Sequence, residues 1–355
     1  MKCFHYFKDK FRSKEQRSFK SFSQSFEKPQ LEGPLFQSIS ELDEAKAHNL
    51  RVFSFSELRK ATRNFNPGLR IGEGGFGGVY KGTIKPANGK GEPLLVAVKN
   101  LNENGLQGYT EWLTEVKFLG VLEHPNVIKL IGHCTVDGEK GFQCLLVYEF
   151  MHNKSLEDHL FSQAFPPLPW KTRLQIILGA ARALAYLHEG LKVQIIHRSF
   201  KPSDVLLEEK FNPKLSDFGL AREGPMDGDE HVSTRVMGTY GYAAPEYIAT
   251  GHLSCKSEVW SFGVVLYEIL SGRRSIDVNR PTSEQSLVEW VKQFPANHER
   301  FGCIMDPRLG NQYSIGAARE ISKLADACLS TSPHERPKMS EVVERLEHII
   351  QVSEE

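Results

Sequence analysis

The sequence predicts an α+β fold in two lobes, a small antiparallel-sheet lobe carrying one helix, followed by a larger, mainly helical lobe. Three observations predict it. Between Ile71 and Tyr148, β-type runs through Val79, Val96, Ile128 and Val147 are broken by one stretch in which Trp112, Glu115, Val116, Leu119 and Leu122 fall at helical spacing. From Ser155 the pattern turns helical, and Leu174, Ile177, Leu178, Ala181, Leu184, Ala185 and His188 share one face of a long apolar helix. A chain of 355 residues, 40% hydrophobic and 25% charged, has the balance of a soluble globular protein with an ample core.

Forty-four basic and 44 acidic residues give a formal net charge of zero, so nothing in the charge balance points to nucleic acid. Cys3, Cys134, Cys144, Cys255, Cys303 and Cys328 lie far apart, with no C-x-x-C pair and no secretory leader ahead of them. A reducing, intracellular setting is expected. No apolar run approaches the roughly 18 to 20 residues a membrane span requires, so the expectation is a protein that is soluble or attached to a membrane without crossing it.

Residues 1–50 are expected to form a basic, disordered tail, rich in Lys, Arg, Ser, Phe and Gln. Phe4, Phe7 and Phe11 would share one helical face among Lys2, Lys8, Lys10, Arg12, Lys14, Arg17 and Lys20, a pattern suited to an anionic membrane surface. Lys2 occupies the position myristoylation requires as Gly, and Cys3 remains as a palmitoylation site. The plainer reading, a solvated basic tail, stays open beside peripheral membrane contact.

Residues 51–65 are read as an extension with a short helix between Phe53 and Phe65, capped by Ser54 or Ser56 and closed by Asn66-Pro67-Gly68. Residues 66–151 then form the first lobe and its hinge. Gly72, Gly74 and Gly77 with Val79 spell G-x-G-x-x-G-x-V, in which glycines let backbone amides approach phosphate oxygens. A dinucleotide site would need a helix to open inside the glycines, whereas Val79 to Ile84 continues as β-type sequence, so the glycines make a hairpin flap. Leu94 to Lys99 is a strand ending in an ammonium, and the helix bearing Glu115 follows it. Val127–Ile131 and Cys144–Tyr148 complete an expected five-stranded sheet.

Residues 152–350 form the second lobe, and 351–355 the C-terminal end. This lobe carries His197-Arg198-Ser199-Phe200-Lys201-Pro202-Ser203-Asp204, then Asp217-Phe218-Gly219, then Ala244-Pro245-Glu246. With the flap, Lys99 and Glu115, these motifs resemble, in order, those of a eukaryotic protein kinase. The segment from Phe53 to Ile350 is similar to a plant receptor-like cytoplasmic kinase of the subgroup VII type. The resemblance rests on F-x-x-x-E-L-x-x-A-T-x-N-F before the flap and V-M-G-T-Y-G-Y-A-A-P-E-Y after it.

The resemblance implies the two-lobed eukaryotic protein kinase fold, with ATP and Mg2+ as cofactors. Gly72, Gly74, Gly77, Val79, Lys99, Glu115, Glu149 and Met151 would hold the nucleotide, Tyr148 standing as gatekeeper and Glu149 to Met151 as hinge. Asp217 and Asp204 would hold metal, and Lys201 would act in catalysis. Arg198, Ser233, Thr234 and Thr239 would be regulatory, with Arg198 facing phosphates on Ser233 and Thr234. Arg336 would pair with Glu246. The implied setting is cytoplasmic, peripheral at the inner face of the plasma membrane, beside receptor-like kinases and protein substrates or scaffold partners.

Three departures decide the functional expectation. The motif reads H-R-D-x-x-x-x-N in the family, whereas here Ser199 replaces the Asp that accepts the substrate proton and Asp204 replaces the Asn. Glu258 stands where the family usually has an Asp tying a central helix to this loop. The leading expectation is an ATP-binding pseudokinase, or a strongly impaired kinase, in immune or developmental signalling. Its alternatives are an active serine/threonine kinase with an altered loop and a folded remnant that binds nothing.

Overall fold

The computed structural model describes residues 50–354, apart from 75–76, 86–90, 102–105, 139–140 and 226–228. Cys3, the rest of the expected basic tail and the flap tip at Gly75 and Phe76 lie outside the described residues.

The chain enters through strand β1 (Arg51–Val52) and helix α1 (Phe55–Ala61). Ser54 caps α1 by accepting the Glu57 amide at 3.2 Å, one of the two predicted caps. Thr62, fully buried, ends it by donating to the Leu58 carbonyl at 2.8 Å and accepting the Phe65 amide at 3.1 Å. Arg63, Asn64 and Phe65 then turn in succession through the left-handed region.

The first lobe is built on β2 (Arg70–Gly74), β3 (Gly77–Ile84), β4 (Leu94–Asn100), helix α2 (Leu106–Leu119), β5 (Leu130–Gly138) and β6 (Gly141–Glu149). Among the described residues the sheet has six strands, not five, in the order β1-β5-β6-β4-β3-β2. The sixth is β1, parallel to β5 while its neighbours pair antiparallel. Gly132 admits it, because a Cβ there would stand 2.0 Å from the Arg51 carbonyl oxygen. Phe53 and Leu58 of the extension join Ile84, Val96, Val98, Cys134, Leu145 and Val147 in one buried cluster.

A second difference concerns β5, which begins at Leu130 and not at Val127. Val127 and Ile128 are buried against the second lobe, where the Ile128 amide donates to the Leu215 carbonyl at 2.9 Å. Apolar character alone does not reveal which side chain serves which lobe. Helix α2 stops at Leu119, so Leu122 lies beyond it and beyond the turn at Gly120 and Val121. Trp112 fixes α2 to the sheet by donating its indole proton to the Leu145 carbonyl at 3.1 Å.

The second lobe contains α3 (Leu156–Phe161), α4 (Trp170–Glu189), α5 (Pro245–Thr250), α6 (Cys255–Ser271), α7 (Leu287–Val291), α8 (Ile315–Cys328) and α9 (Met339–Glu354). Short strands β7 (Ile195–Ile196), β8 (Val205–Leu207), β9 (Pro213–Leu215), β10 (Arg222–Glu223), β11 (Val232–Ser233) and β12 (His252–Leu253) lie between α4 and α6. Helix α4 packs against α9 and α6 against α8, and α6 is buried along nearly its whole length. Phe200 stacks on Phe262 of α6, centroids 5.6 Å apart, which seats the loop after β7 on the central helix.

Candidate functional site

Strand β4 sets Lys99 opposite Val79 of the flap strand on one side and Leu146 of β6 on the other. Its ammonium lies 2.6 Å from Glu115 Oε1 on α2 and 2.8 Å from Asp217 Oδ1. Burial opposes the charge on Lys99, but the carboxylates of Asp217 and Glu115 outweigh it and hold the ammonium above its ordinary range. Burial raises Glu115, with Lys99 pulling the other way. Asp217 is held down at about 2, chiefly by the Lys99 charge.

Tyr148 adds a contact that the motifs did not announce. Tyr148 donates its phenolic proton to Glu115 Oε2, so both oxygens of that carboxylate are engaged. A second acid, Glu111, stands one helical turn before Glu115 and is buried against Gly219, with Oε1 unpaired among the described residues. Burial pushes it up to about 8. The spacing of four on one helix was the available signal.

The loop between β7 and β8 is tied from below. Glu258 Oε1 accepts the Arg198 amide at 2.7 Å, and Oε2 accepts the His197 amide at 3.1 Å and lies 2.8 Å from His188 Nε2. The longer side chain at this position therefore preserves the tie that the sequence left in question. Above it, Ser199 Oγ donates to Asp204 Oδ2 at 3.2 Å. Lys201 Nζ lies 3.6 Å from Asp204 Oδ1 and donates to Thr239 Oγ1 at 3.2 Å. Burial lifts Asp204 to about 6, Lys201 opposing and Asp217 reinforcing the shift.

The stretch between Gly219 and Ala244 separates two residues that the sequence grouped. Thr234 Oγ1 accepts from Arg198 at 3.1 Å and also from Arg222. Ser233 is exposed on β11, paired with His252, and does not share that contact. Successive side chains in extended backbone point to opposite sides, which accounts for the difference. Arg336 meets Glu246 through two bonds of 2.7 and 2.8 Å, as expected.

Gly72 and Gly74 lie on β2, opposite Val79 and Gly77. Gly77 has a packing reason of its own, since a Cβ there would fall 1.5 Å from the Asn100 carbonyl oxygen. The Glu149 carboxylate accepts the Lys129 amide at 2.8 Å and meets Lys214 at 2.9 Å, both through Oε1, and its backbone amide donates to the Lys129 carbonyl at 3.2 Å. Met151 is partly buried beyond it.

Two carboxylates of the second lobe face the two lysines, buried Asp204 at Lys201 and Asp217 at Lys99, the Asp217 side chain being 44% exposed. These are hard oxygen donors. Magnesium bound to a nucleotide needs only one or two carboxylates besides phosphates and water, a donor set these two residues would supply.

Residues 66–346 match the protein tyrosine and serine/threonine kinase family. The chain is 56% identical to the probable serine/threonine-protein kinase PBL20 of Arabidopsis thaliana over 308 residues, covering 86% of this chain and 78% of that protein. It is similarly 51% identical to the serine/threonine-protein kinase PCRK1 and 52% identical to PCRK2 of the same plant, with 87% of this chain and 74% of each relative covered.

Proposed function

Because the chain belongs to the protein tyrosine and serine/threonine kinase family and is a homologue of the Arabidopsis receptor-like cytoplasmic kinases, we propose that it binds MgATP and acts in plant receptor signalling with strongly impaired phosphoryl transfer. One observation carries this reading. The contacts among Lys99, Glu115 and Asp217 are complete, while the loop presents the neutral hydroxyl of Ser199 where an active member has a carboxylate.

When bound, MgATP supplies the γ-phosphoryl group and the cation that offsets its charge. Lys99, oriented by Glu115, would contact the phosphates, and Asp217 and Asp204 would hold metal. The backbone from Glu149 to Met151 would face adenine, with Gly72, Gly74 and Val79 above it. Lys201, already bonded to Thr239, would orient a substrate hydroxyl. A hydroxyl at Ser199 stays protonated near neutral pH and removes a proton poorly, which costs about 10²- to 10⁴-fold in rate. A second reading, an active serine/threonine kinase with an altered loop, is favoured by the Asp204 carboxylate standing within hydrogen-bond distance of Ser199.

The test is thermal stabilisation by MgATP. Wild type is expected to gain stability, and Lys99→Ala and Asp217→Ala to lose that gain. Absence of any MgATP effect in wild type would leave a folded remnant that binds nothing.

For location, no helix among the described residues is long and apolar enough to cross a membrane. Attachment at the plasma membrane would rest on Cys3 and the basic stretch, beside receptor-like kinases as partners. Fractionation of wild type, Cys3→Ala and protein lacking residues 1–28 tests it. An unchanged distribution would leave the tail a solvated extension.

A further inference from the structure

The changes at positions 199 and 204 have the character of one exchange. In the D-x-x-x-x-N pattern the first position carries a carboxylate, which only accepts, and the second an amide with two N–H donors. Here the first position carries an O–H donor and the second the carboxylate. One donor and one carboxylate are kept, with their places swapped. The side chains touch accordingly, Ser199 Oγ donating to Asp204 Oδ2 at 3.2 Å, both residues being buried. The other Asp204 oxygen accepts from Ser203 Oγ at 3.1 Å and faces Lys201 at 3.6 Å.

The geometry points to Ser199 and Asp204 working as an exchanged pair. Asp204 is the loop's one carboxylate and a positioning residue that takes the Ser199 proton in a hydrogen bond, leaving the Ser199 lone pairs to accept an incoming substrate hydroxyl. This rests on the reading of the cleft as a nucleotide and substrate site. No proton transfer is assigned to Ser199, whose part is orientation.

The pair has a consequence that independent drift does not share. Ser199→Asp alone sets two buried carboxylates at hydrogen-bond distance, close to Asp217, with no donor between them. Asp204→Asn alone removes the only carboxylate the loop has. Together the two substitutions restore one donor and one acceptor.

The experiment is a double-mutant cycle on the full chain made in bacteria, comprising wild type, Ser199→Asp, Asp204→Asn and the double variant. Thermal midpoints are read without and with MgATP, and phosphate transfer to a generic protein substrate is measured. The expected result is that Ser199→Asp shifts the midpoint at least about 2 °C less favourably in the wild-type background than in the Asp204→Asn background. Turnover is expected to rise at least about tenfold in the double variant alone, a conservative part of the general-base range. Additive midpoint shifts, or a Ser199→Asp single variant turning over as fast as the double, would overturn the pair. Coupled midpoints with no MgATP effect in any protein would support the pair and overturn the nucleotide reading instead.

Discussion

Glu258 Oε1 accepts the Arg198 backbone amide at 2.7 Å while the other oxygen of the same carboxylate accepts the His197 amide. Burial would raise this carboxylate, but the hydrogen bonds from His188 and the His197 amide outweigh that cost and hold it below its ordinary range. The side chain is fitted to its span. Glu258→Asp is therefore expected to shorten the reach, leave at least one amide unsatisfied and cost about 1 to 3 kcal/mol in denaturant unfolding. It should raise phosphate transfer in no background. A stable Glu258→Asp protein with higher transfer would mean that the loop is displaced.

Arg336 is fully buried and engages Glu246 through both terminal nitrogens, with further bonds to the carbonyls of Ser330 and Lys256. Removing one partner of such a pair strands the other, so Arg336→Ala is expected to lose about 3 to 5 kcal/mol. Arg336→Lys should lose much of this as well, because an ammonium cannot reproduce the planar fork. Urea unfolding of the three proteins checks both statements.

Glu268 supplies a pH dependence. Burial pushes its carboxyl up to about 8, with Oε1 accepting from Tyr242 and from the Ser275 amide and Oε2 unpaired among the described residues. A folded pKa above the unfolded value near 4.5 means that the folded state holds the extra proton between these limits. The contribution is thus complete below about 4.5, declines as pH rises and is gone above about 8. Glu268→Gln keeps an acceptor and lacks the proton. Its midpoint should match wild type near pH 5, rise above it progressively and level off beyond about pH 8. Parallel midpoint curves would contradict this assignment.

A phosphate on Thr234 would meet Arg198 and Arg222, whose guanidinium groups already bond its hydroxyl, whereas one on Ser233 would face solvent. Protein phosphorylated by a co-expressed kinase should therefore gain thermal stability. Thr234→Ala should abolish the gain and Ser233→Ala should leave it.

The parts of this molecule legible in the sequence are those that local chemistry dictates. The glycine flap, the strand ending at Lys99, the helix bearing Glu115 and the pairing of Glu246 with Arg336 could each be placed from residue type, spacing and motif. Strand β1 could not, because two residues carry no periodicity and its docking depends on the bare backbone of Gly132. Val127 and Ile128 read as strand because they are apolar, yet they are buried under the other lobe. The Tyr148 bond to Glu115 and the Ser199 bond to Asp204 depend on side-chain placement in three dimensions, as does the reach of Glu258, which sequence comparison could only mark as a departure.

The proposed binding of nucleotide with poor phosphate transfer, because Ser199 replaces a carboxylate, is checked by a radiolabelled transfer assay on bacterially produced wild type, the Ser199→Asp, Asp204→Asn double variant and a Lys99→Ala control. Barely detectable wild-type transfer is expected, with at least about a tenfold gain in the double variant and none in the control. Wild-type turnover in the ordinary kinase range, about 1 to 100 per second, would contradict it.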